Sequence, residues 1–509
     1  MMQKIDEIFK TWVDHPGAGG QLLVTHKGKV IIDRCYGYAD IEHKVPITQD
    51  SVFHVASISK QFTAMAIAML HEQGKINIDD DVRTYIPDMI GFEDPVTVRQ
   101  LVNHLTGFRC HYGLLYLAGR SSNDCVLQDD LRRLIARQKK LNFTPGEQFM
   151  YSNPNYVLMA TIVERVSGMP FPQWAKEHLF EPLGMQDTFV KDHYLTLIPN
   201  RARGYHDDGY QYTNAMMSIN MYGSTGVCST CRDLTKFMQQ YQNPTLITRK
   251  TLEEIMLTVP QVQKGTTIYA GGLRIQDLQG HRTIHHGGVN AGYRSFGILF
   301  PDDDLIVTIF ANTDNLPVET LGRDVARVVL GMPPRKPYSV EEYRTETVDW
   351  DAIPGFYYCD KNGDHFNITV KDGVVYHGNV PLEHLGGNVF KQGRLNLWFC
   401  FGEDTVCREQ GSVMHLRKFE DKLDPALARE CVGTYYNDEC QGIWTVEYED
   451  GKLWWCHLRH GKQQMHWLEG DKFFVGMRTI TFLRDENGKV NAFSHTNALI
   501  WDFRFQKMN

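Results

Sequence analysis

The 509-residue sequence predicts an α/β (α+β) domain, an antiparallel sheet flanked by helices, followed by two C-terminal all-β, barrel-like domains. Three observations carry this expectation. Helical and strand patterns alternate up to about residue 330, with a hairpin pattern near each end of that region. A stretch of prolines and charge, Gly331-Met332-Pro333-Pro334-Arg335-Lys336-Pro337, then breaks the periodicity. Beyond it, two segments share landmarks at one spacing. Gly355-Phe356-Tyr357-Tyr358 and Gly433-Thr434-Tyr435-Tyr436 stand 78 positions apart, as do the turns Asp372-Gly373 and Asp450-Gly451. A common offset between unrelated landmarks marks a duplicated unit. The expected domains are residues 1–335, 336–424 and 425–509, with Asp421 to Ala426 linking the two β-domains.

The elements follow in order. Ile5, Ile8, Phe9, Trp12 and Val13 have the spacing of a helix with one buried face. Gln21 to Val24 and Lys29 to Asp33, joined through His26-Lys27-Gly28, read as a hairpin. From Gln61 a helix is expected, with Phe62, Met65, Ala66 and Met69 on one face and Gly74 near its end. A second helix is expected after Asn153 as N-cap and Pro154 at its first position, with Tyr156, Met159, Ala160 and Val163 inward. Ser295 to Phe300 and Leu305 to Phe310, around Pro301-Asp302-Asp303-Asp304, form the closing hairpin. Both ends of the region therefore contribute to one antiparallel sheet.

Composition excludes several classes. The net charge of −8 opposes non-specific attraction to nucleic acid or an anionic membrane. No apolar run approaches the ~18 residues that span a bilayer. Lys4, Asp6, Glu7, Lys10 and Asp14 interrupt any signal-peptide pattern, and 11 scattered cysteines suit a reducing compartment, so a cytoplasmic location is expected. Cys228-Ser229-Thr230-Cys231 reads as two packing cysteines, and His206-Asp207-Asp208 as a solvated loop. His71-Glu72 lacks the second histidine of a zinc-binding helix, so neither metal nor cofactor is expected.

Three constellations carry chemistry. Ser57-Ile58-Ser59-Lys60 opens the helix that continues through Gln61, and positions i and i+3 share a face. A serine hydroxyl is a weak nucleophile unless a neighbouring base accepts its proton, and a lysine whose charged form is disfavoured can do so. With 14 Ser and 25 Lys, about 0.7 such matches arise by chance, so the helical context gives the motif its weight. Tyr151-Ser152-Asn153 places a phenol and an amide on the turn into the second helix. His286-Gly287-Gly288, followed by Val289, lets a strand edge approach a ligand and leaves backbone N–H groups for it. Strand alternation sends His285 to the opposite face.

Together, Ser57-x-x-Lys60, Tyr151-x-Asn153 and His286-Gly287-Gly288, in that order, resemble the three signatures of the serine β-lactamase-like, penicillin-binding family. The resemblance covers about residues 1–330 and is supported by Leu101-Val102-Asn103-His104-Leu105-Thr106-Gly107 and Pro182-Leu183-Gly184-Met185. Within the family the chain is most similar to the branch of class C β-lactamases, DD-carboxypeptidases, D-aminopeptidases and related esterases. Its two appended β-domains are similar to those of bacterial D-aminopeptidases. The stretch Lys472 to Ile480 is shorter than the long loop those enzymes carry in their last barrel.

The resemblance implies a β-lactamase-like fold and roles for each matched residue. Ser57 is then the acylated nucleophile, Lys60 and Tyr151 share proton transfer, and Asn153 binds the substrate amide. His286 stands where the family's lysine stands and binds or orients substrate, titrating near ~6.5. Gly287 and Gly288 admit the substrate, and the N–H groups of Ser57 and Val289 form the oxyanion hole. The expected activity is a serine hydrolase of small-molecule, amide, short-peptide or small-ester substrates through an acyl-enzyme. An acyltransferase using the same nucleophile and a non-catalytic binder or sensor are the alternatives, and the β-domains leave a homodimer open.

Overall fold

Seven strands, paired antiparallel throughout, form the sheet that organises the first part of the chain: β1 (Gly20–His26), β2 (Lys29–Tyr36), β3 (Ile268–Ala270), β4 (Leu273–Leu278), β5 (His281–Asn290), β6 (Tyr293–Phe300) and β7 (Leu305–Ala311). Their spatial order is β3-β4-β5-β6-β7-β1-β2, so β1 and β7, from the two ends of the region, pair with each other and join its two ends in one sheet. In this computed structural model the residues described are 1–508 except 15–16, 90, 122, 264–267, 336–340, 360–364, 394, 396, 410–411 and 420–422. Residues 336–337 of the proline-rich break and 421–422 of the expected linker lie outside the described residues.

The helices that matter here are α1 (Met2–Ile8), α2 (Ser59–Glu72), α3 (His111–Leu117), α4 (Asn153–Ser167), α5 (Cys231–Met238) and α6 (Val318–Leu330). On one face of the sheet, Leu22, Ile298, Val307 and Ile309 pack with Ile5 and Phe9 near α1 and with Val318 and Val325 of α6. On the other face lie α5, whose Thr235 hydroxyl is 3.3 Å from that of Thr308, and α2 behind it, with Phe62 and Phe237 rings 4.3 Å apart. Helices on both faces explain why all of β7 is buried and apolar but for Thr308, rather than alternating. They also explain why every residue of α2 from Ser59 to Leu70 is buried, where the sequence suggested one inward face.

Three local expectations are corrected. The N-terminal helix stops at Ile8, Phe9 caps it, and Val13 is exposed rather than on the buried face. Asn153 is the first residue of α4, with Ser152 in the cap position and its hydroxyl donating to Phe108 O instead. His206 and Asp207 belong to a short strand, Tyr205–Asp207. His206 pairs with Asp314 at 2.6 Å, and Asp207 is buried.

The chain forms two units. The first is Met1–His111, Ser122–Asp207 and Tyr212–Arg335; the second is Tyr112–Ser121, Asp208–Gln211 and Lys336–Asn509. The second contains a nine-stranded sheet, from Gly355–Tyr358 to Ser412–Lys418, and a closed eight-stranded barrel, from Gly433–Asn437 to Ile500–Lys507. A matching hydrogen bond occurs in each. Tyr357 donates its hydroxyl to Ile353 O at 2.8 Å, and Tyr435 donates to Cys431 O at 2.7 Å. Both Asp-Gly turns are left-handed, with φ of 49° and 75° at Asp372-Gly373 and 52° and 74° at Asp450-Gly451, as tight hairpins require. Between Lys472–Val475 and Arg478–Arg484 only Gly476-Met477 intervenes, so no long loop exists there.

Candidate active site

The site is assembled where α2, α4 and β5 of the first unit meet. A 3-10 turn, Ala56–Ile58, leads directly into α2, and Ala56 adopts φ +50°. A left-handed alanine is a costly conformation held in place by its surroundings, and such strain clusters at functional sites. It sets Ser57 at the mouth of α2 with Lys60 one turn on. Lys60 Nζ lies 3.1 Å from Ser57 Oγ, 2.8 Å from Asn153 Oδ1 and 2.7 Å from Ser224 O. The Tyr151 ring centroid is 4.8 Å from the same nitrogen. One buried amine thus joins the first two sequence constellations.

The third arrives through β5. Gly288 carries no side chain because none fits: a Cβ there would stand 2.4 Å from Val55 O and 3.0 Å from Ala56 Cβ. Its glycine lets β5 lie against the turn that holds Ser57. At Gly287 the added atom would meet only the Glu319 side chain. Pairing with β4 ends at His285, whereas pairing with β6 continues to Asn290. The Asn290–Tyr293 pair closes the hairpin, so alternation turns the Val289 N–H away from β6, toward the edge that β4 no longer covers. His286 projects to the Tyr151 side, its ring 6.1 Å from that of Tyr151, while His285 packs on Phe296 at the opposite face.

The family profile that matches this chain is Beta-lactamase, over residues 5–330. The chain belongs to the Beta-lactamase family. It is a serine hydrolase of that family. Penicillin-binding protein 4* of Bacillus subtilis is 28% identical over 403 residues, covering 74% of this chain and 88% of its own. A D-aminopeptidase of Brucella ovis is 24% identical over 465 residues, covering 87% and 83%. The octameric penicillin-binding protein homologue from Pyrococcus abyssi shares the fold at a TM-score of 0.60 and 20% identity, over 99% of this chain and 100% of its own.

In this Beta-lactamase-family site, burial sets the charge states. Lys60 is 0% exposed, and desolvation holds its amine well below the ordinary lysine range. Burial pushes the Tyr151 phenol up, only partly offset by Ser57 beside it. His286 is pushed down to about 3 by burial and by the nearby Lys60 and Arg274 charges. The sequence-based expectation of a group titrating near neutrality is therefore corrected: the imidazole is neutral. Its Nδ1 lies 2.5 Å from Gly287 O and so carries the proton, leaving Nε2, 3.1 Å away, to accept from the Tyr269 hydroxyl.

Three contributors escaped the sequence reading. Ser224 acts through its carbonyl oxygen, and a backbone acceptor leaves no residue-type signal. Tyr269 orders His286. His104, at φ +58°, lays its ring 4.5 Å from Tyr151 and 4.8 Å from Tyr269. Its Nδ1 accepts the Ser152 N–H at 3.2 Å, so it braces the Tyr151-Ser152-Asn153 turn. It lies within the Leu101 to Gly107 phrase, where a buried histidine among apolar residues was the available clue. Among the described residues no helix is long and apolar enough to cross a membrane.

Proposed function

We propose that the protein hydrolyses amides or short peptides of D-amino acids, or small esters, through an acyl-enzyme on Ser57. The observation that carries this reading is the donor and acceptor arithmetic at Lys60. Asn153 Oδ1 and Ser224 O can only accept, so a neutral Lys60 spends both N–H groups on them at 2.8 and 2.7 Å. Its lone pair is left for the Ser57 hydroxyl proton at 3.1 Å. Burial makes that neutral form accessible.

In the proposed sequence Ser57 Oγ attacks the substrate carbonyl as its proton passes to Lys60. The N–H groups of Ser57 and Val289 stabilise the oxyanion. Tyr151, kept a neutral donor by its raised pKa, passes a proton to the leaving amine or alcohol. The Asn153 amide, with Nδ2 3.8 Å from Cys110 Sγ, orients the acyl group. Water then attacks the ester carbonyl and gives a proton to the Tyr151 phenolate, and Lys60 returns its proton to Ser57 Oγ as the acyl–oxygen bond breaks. A neutral His286 supplies no charge for a substrate carboxylate, which favours uncharged amides and esters over carboxylate-bearing β-lactams. The D-aminopeptidase relative supports the amide side of this reading.

The test is a panel of D- and L-amino acid amides, short peptides and p-nitrophenyl esters, assayed with and without added amine acceptors. Hydrolysis of D-amides or esters, lost in Ser57→Ala, is the expected result. Turnover only with an acceptor would replace hydrolysis by acyl transfer, and no turnover of any substrate would overturn the proposal.

A further inference from the structure

We propose that Lys191 and Arg201 form a carboxylate-binding site at one end of the cleft and select substrates whose acyl group carries a side-chain carboxylate. Three short strands of the first unit, Phe53–His54, Val227–Ser229 and Phe189–Val190, form a small sheet in which His54 pairs with Cys228 and Cys228 with Phe189. Directly paired residues share a face, as do residues two apart, so Lys191 follows Phe189 onto the face of His54 and Cys228. Its N–H donates to Gly226 O at 2.8 Å and continues the pairing. Arg201 reaches the same place through a parallel bridge to Val52, two residues before His54. Lys191 is 6% exposed and Arg201 is half-buried. Among the described residues no carboxylate pairs with either cation. Arg201 lies beside the Tyr293 hydroxyl, with Nη2 3.9 Å from the Met216 sulfur. Neither Cys228 nor His54 offsets the charge. Burial pushes the Cys228 thiol up to about 11, and burial with the Lys191 and Arg201 charges pushes His54 down to about 3, so both are neutral. Burial, and then the Arg201 charge, hold Lys191 below its ordinary range. A carboxylate seated between the two cations removes both penalties.

The cluster borders the candidate site at the end opposite the leaving group. His54 Nδ1 accepts the Ala56 N–H at 3.2 Å, on the turn that sets Ser57, and His54 Nε2 is 3.5 Å from Asn290 Nδ2. The same amide nitrogen is 3.3 Å from Thr225 Oγ1, next to Ser224, whose carbonyl holds Lys60. Asn290 follows Val289, a donor of the oxyanion hole in the mechanism proposed above. His286 stands four residues before Asn290 on β5, about 13 Å of strand away. Tyr151, which supplies the leaving group's proton in that mechanism, lies at the His286 end. The acyl group then extends along β5 toward Asn290, His54 and the two cations. A neutral His286 leaves one end of the cleft without charge, whereas Lys191 and Arg201 charge the other. The inference rests on the Ser57 reading above and adds to it the class of acyl group.

The experiment compares hydrolysis of the α-p-nitroanilides of D-glutamate and D-glutamine, alike in size and different in side-chain charge. The enzymes are full-length wild type, Lys191→Met, Arg201→Gln and the control Lys250→Met, at an exposed lysine. Wild type is expected to prefer the D-glutamate anilide by ~10-fold or more in kcat/KM, through KM, and both cluster variants to lose that preference. Lys250→Met should keep the wild-type ratio. Arg201→Gln is read alone if Lys191→Met does not fold. In a second arm glutarate, which carries the same carboxylate and needs no turnover, is titrated calorimetrically into Ser57→Ala with and without Lys191→Met. Saturable binding, weakened ~10-fold or more by the second substitution, is expected. A preference that survives both cluster substitutions, or no glutarate binding, would overturn the inference. Equal hydrolysis of the two anilides by wild type would overturn the substrate assignment, and glutarate binding would then mark a site for a free carboxylate. If neither anilide is hydrolysed, the Ser57 reading fails and the glutarate titration alone decides the carboxylate site.

Discussion

Lys60 Nζ stands 3.1 Å from Ser57 Oγ, while its two shorter contacts, Asn153 Oδ1 at 2.8 Å and Ser224 O at 2.7 Å, are to oxygens that only accept. The longer, softer contact is thus the one through which a proton can leave the serine. In the proposed mechanism chemistry and stability pull Lys60 in opposite directions, because the burial that would make it a base opposes its ordinary ammonium form.

That opposition is measurable. With the folded-state pKa depressed, the unfolded chain holds a proton that the folded one lacks between the folded value and the ordinary 10.5, so stability rises with pH in that window. Chemical denaturation of wild type and Lys60→Met across that range should show wild type gaining relative to the variant by up to about 1.4 kcal/mol per pH unit. Parallel pH dependences would mean that Lys60 is charged in the folded protein.

The pH–rate profile separates the two basic groups in the site. Activity should rise with pH through the Lys60 ionisation, with a midpoint below 10.5, and show no limb near 6.5, because His286 is held at about 3. His286→Asn should keep the shape of kcat/KM against pH while lowering its level. A limb near neutrality that disappears in this variant would restore a charged His286.

The glycines of β5 differ in what they exclude. Gly288→Ala drives a methyl into Val55 O and Ala56 Cβ, backbone and turn that hold Ser57, and should cost at least ~10-fold in kcat/KM. Gly287→Ala meets only the flexible Glu319 side chain and should cost less than about threefold. Steady-state kinetics on both variants, with folding checked by circular dichroism, decides it. Equal effects would remove the special role of the Gly288 contact.

Much of this was legible before any coordinates, and the limits are physical. Ser57 with Lys60, and Tyr151 with Asn153, were readable because each pair lies within a few residues on a helix start, where spacing fixes direction. The sheet was readable because β1-β2 and β6-β7 are local hairpins. Ser224 was not, since it contributes a carbonyl. The charge of His286 was not, since it depends on burial among Lys60, Arg274 and Tyr269, drawn from distant parts of the chain. Matching landmarks at Tyr357 and Tyr435 were legible, but the later segment closes into a barrel and the earlier one leaves edge strands at Val380–Pro381 and Glu383–His384. Closure depends on strand pairing across the whole sheet, which two landmarks do not specify. Nor does anything local in Tyr112–Ser121 announce that it seats in the second unit.

Acid should unfold the barrel early. His495 is buried and pushed down to about 3, so below ~6.5 the unfolded chain takes up a proton that the folded barrel refuses, and stability falls with pH. His495→Phe should flatten that loss by about 1.4 kcal/mol per pH unit between pH 6 and 4. Denaturation curves of wild type and variant with the same slope against pH would contradict the assignment.

The most direct test of the central claim is the rate at which Ser57 attacks an electrophile, displacing fluoride from a fluorophosphonate to form a phosphonyl-serine. Wild type, Ser57→Ala and Lys60→Met are exposed to a fluorophosphonate and followed by intact mass and peptide mapping. A single adduct on Ser57, absent in Ser57→Ala and slowed by about 1,000-fold or more in Lys60→Met, is the predicted result. An adduct on another residue, or labelling of Lys60→Met at the wild-type rate, would contradict the account.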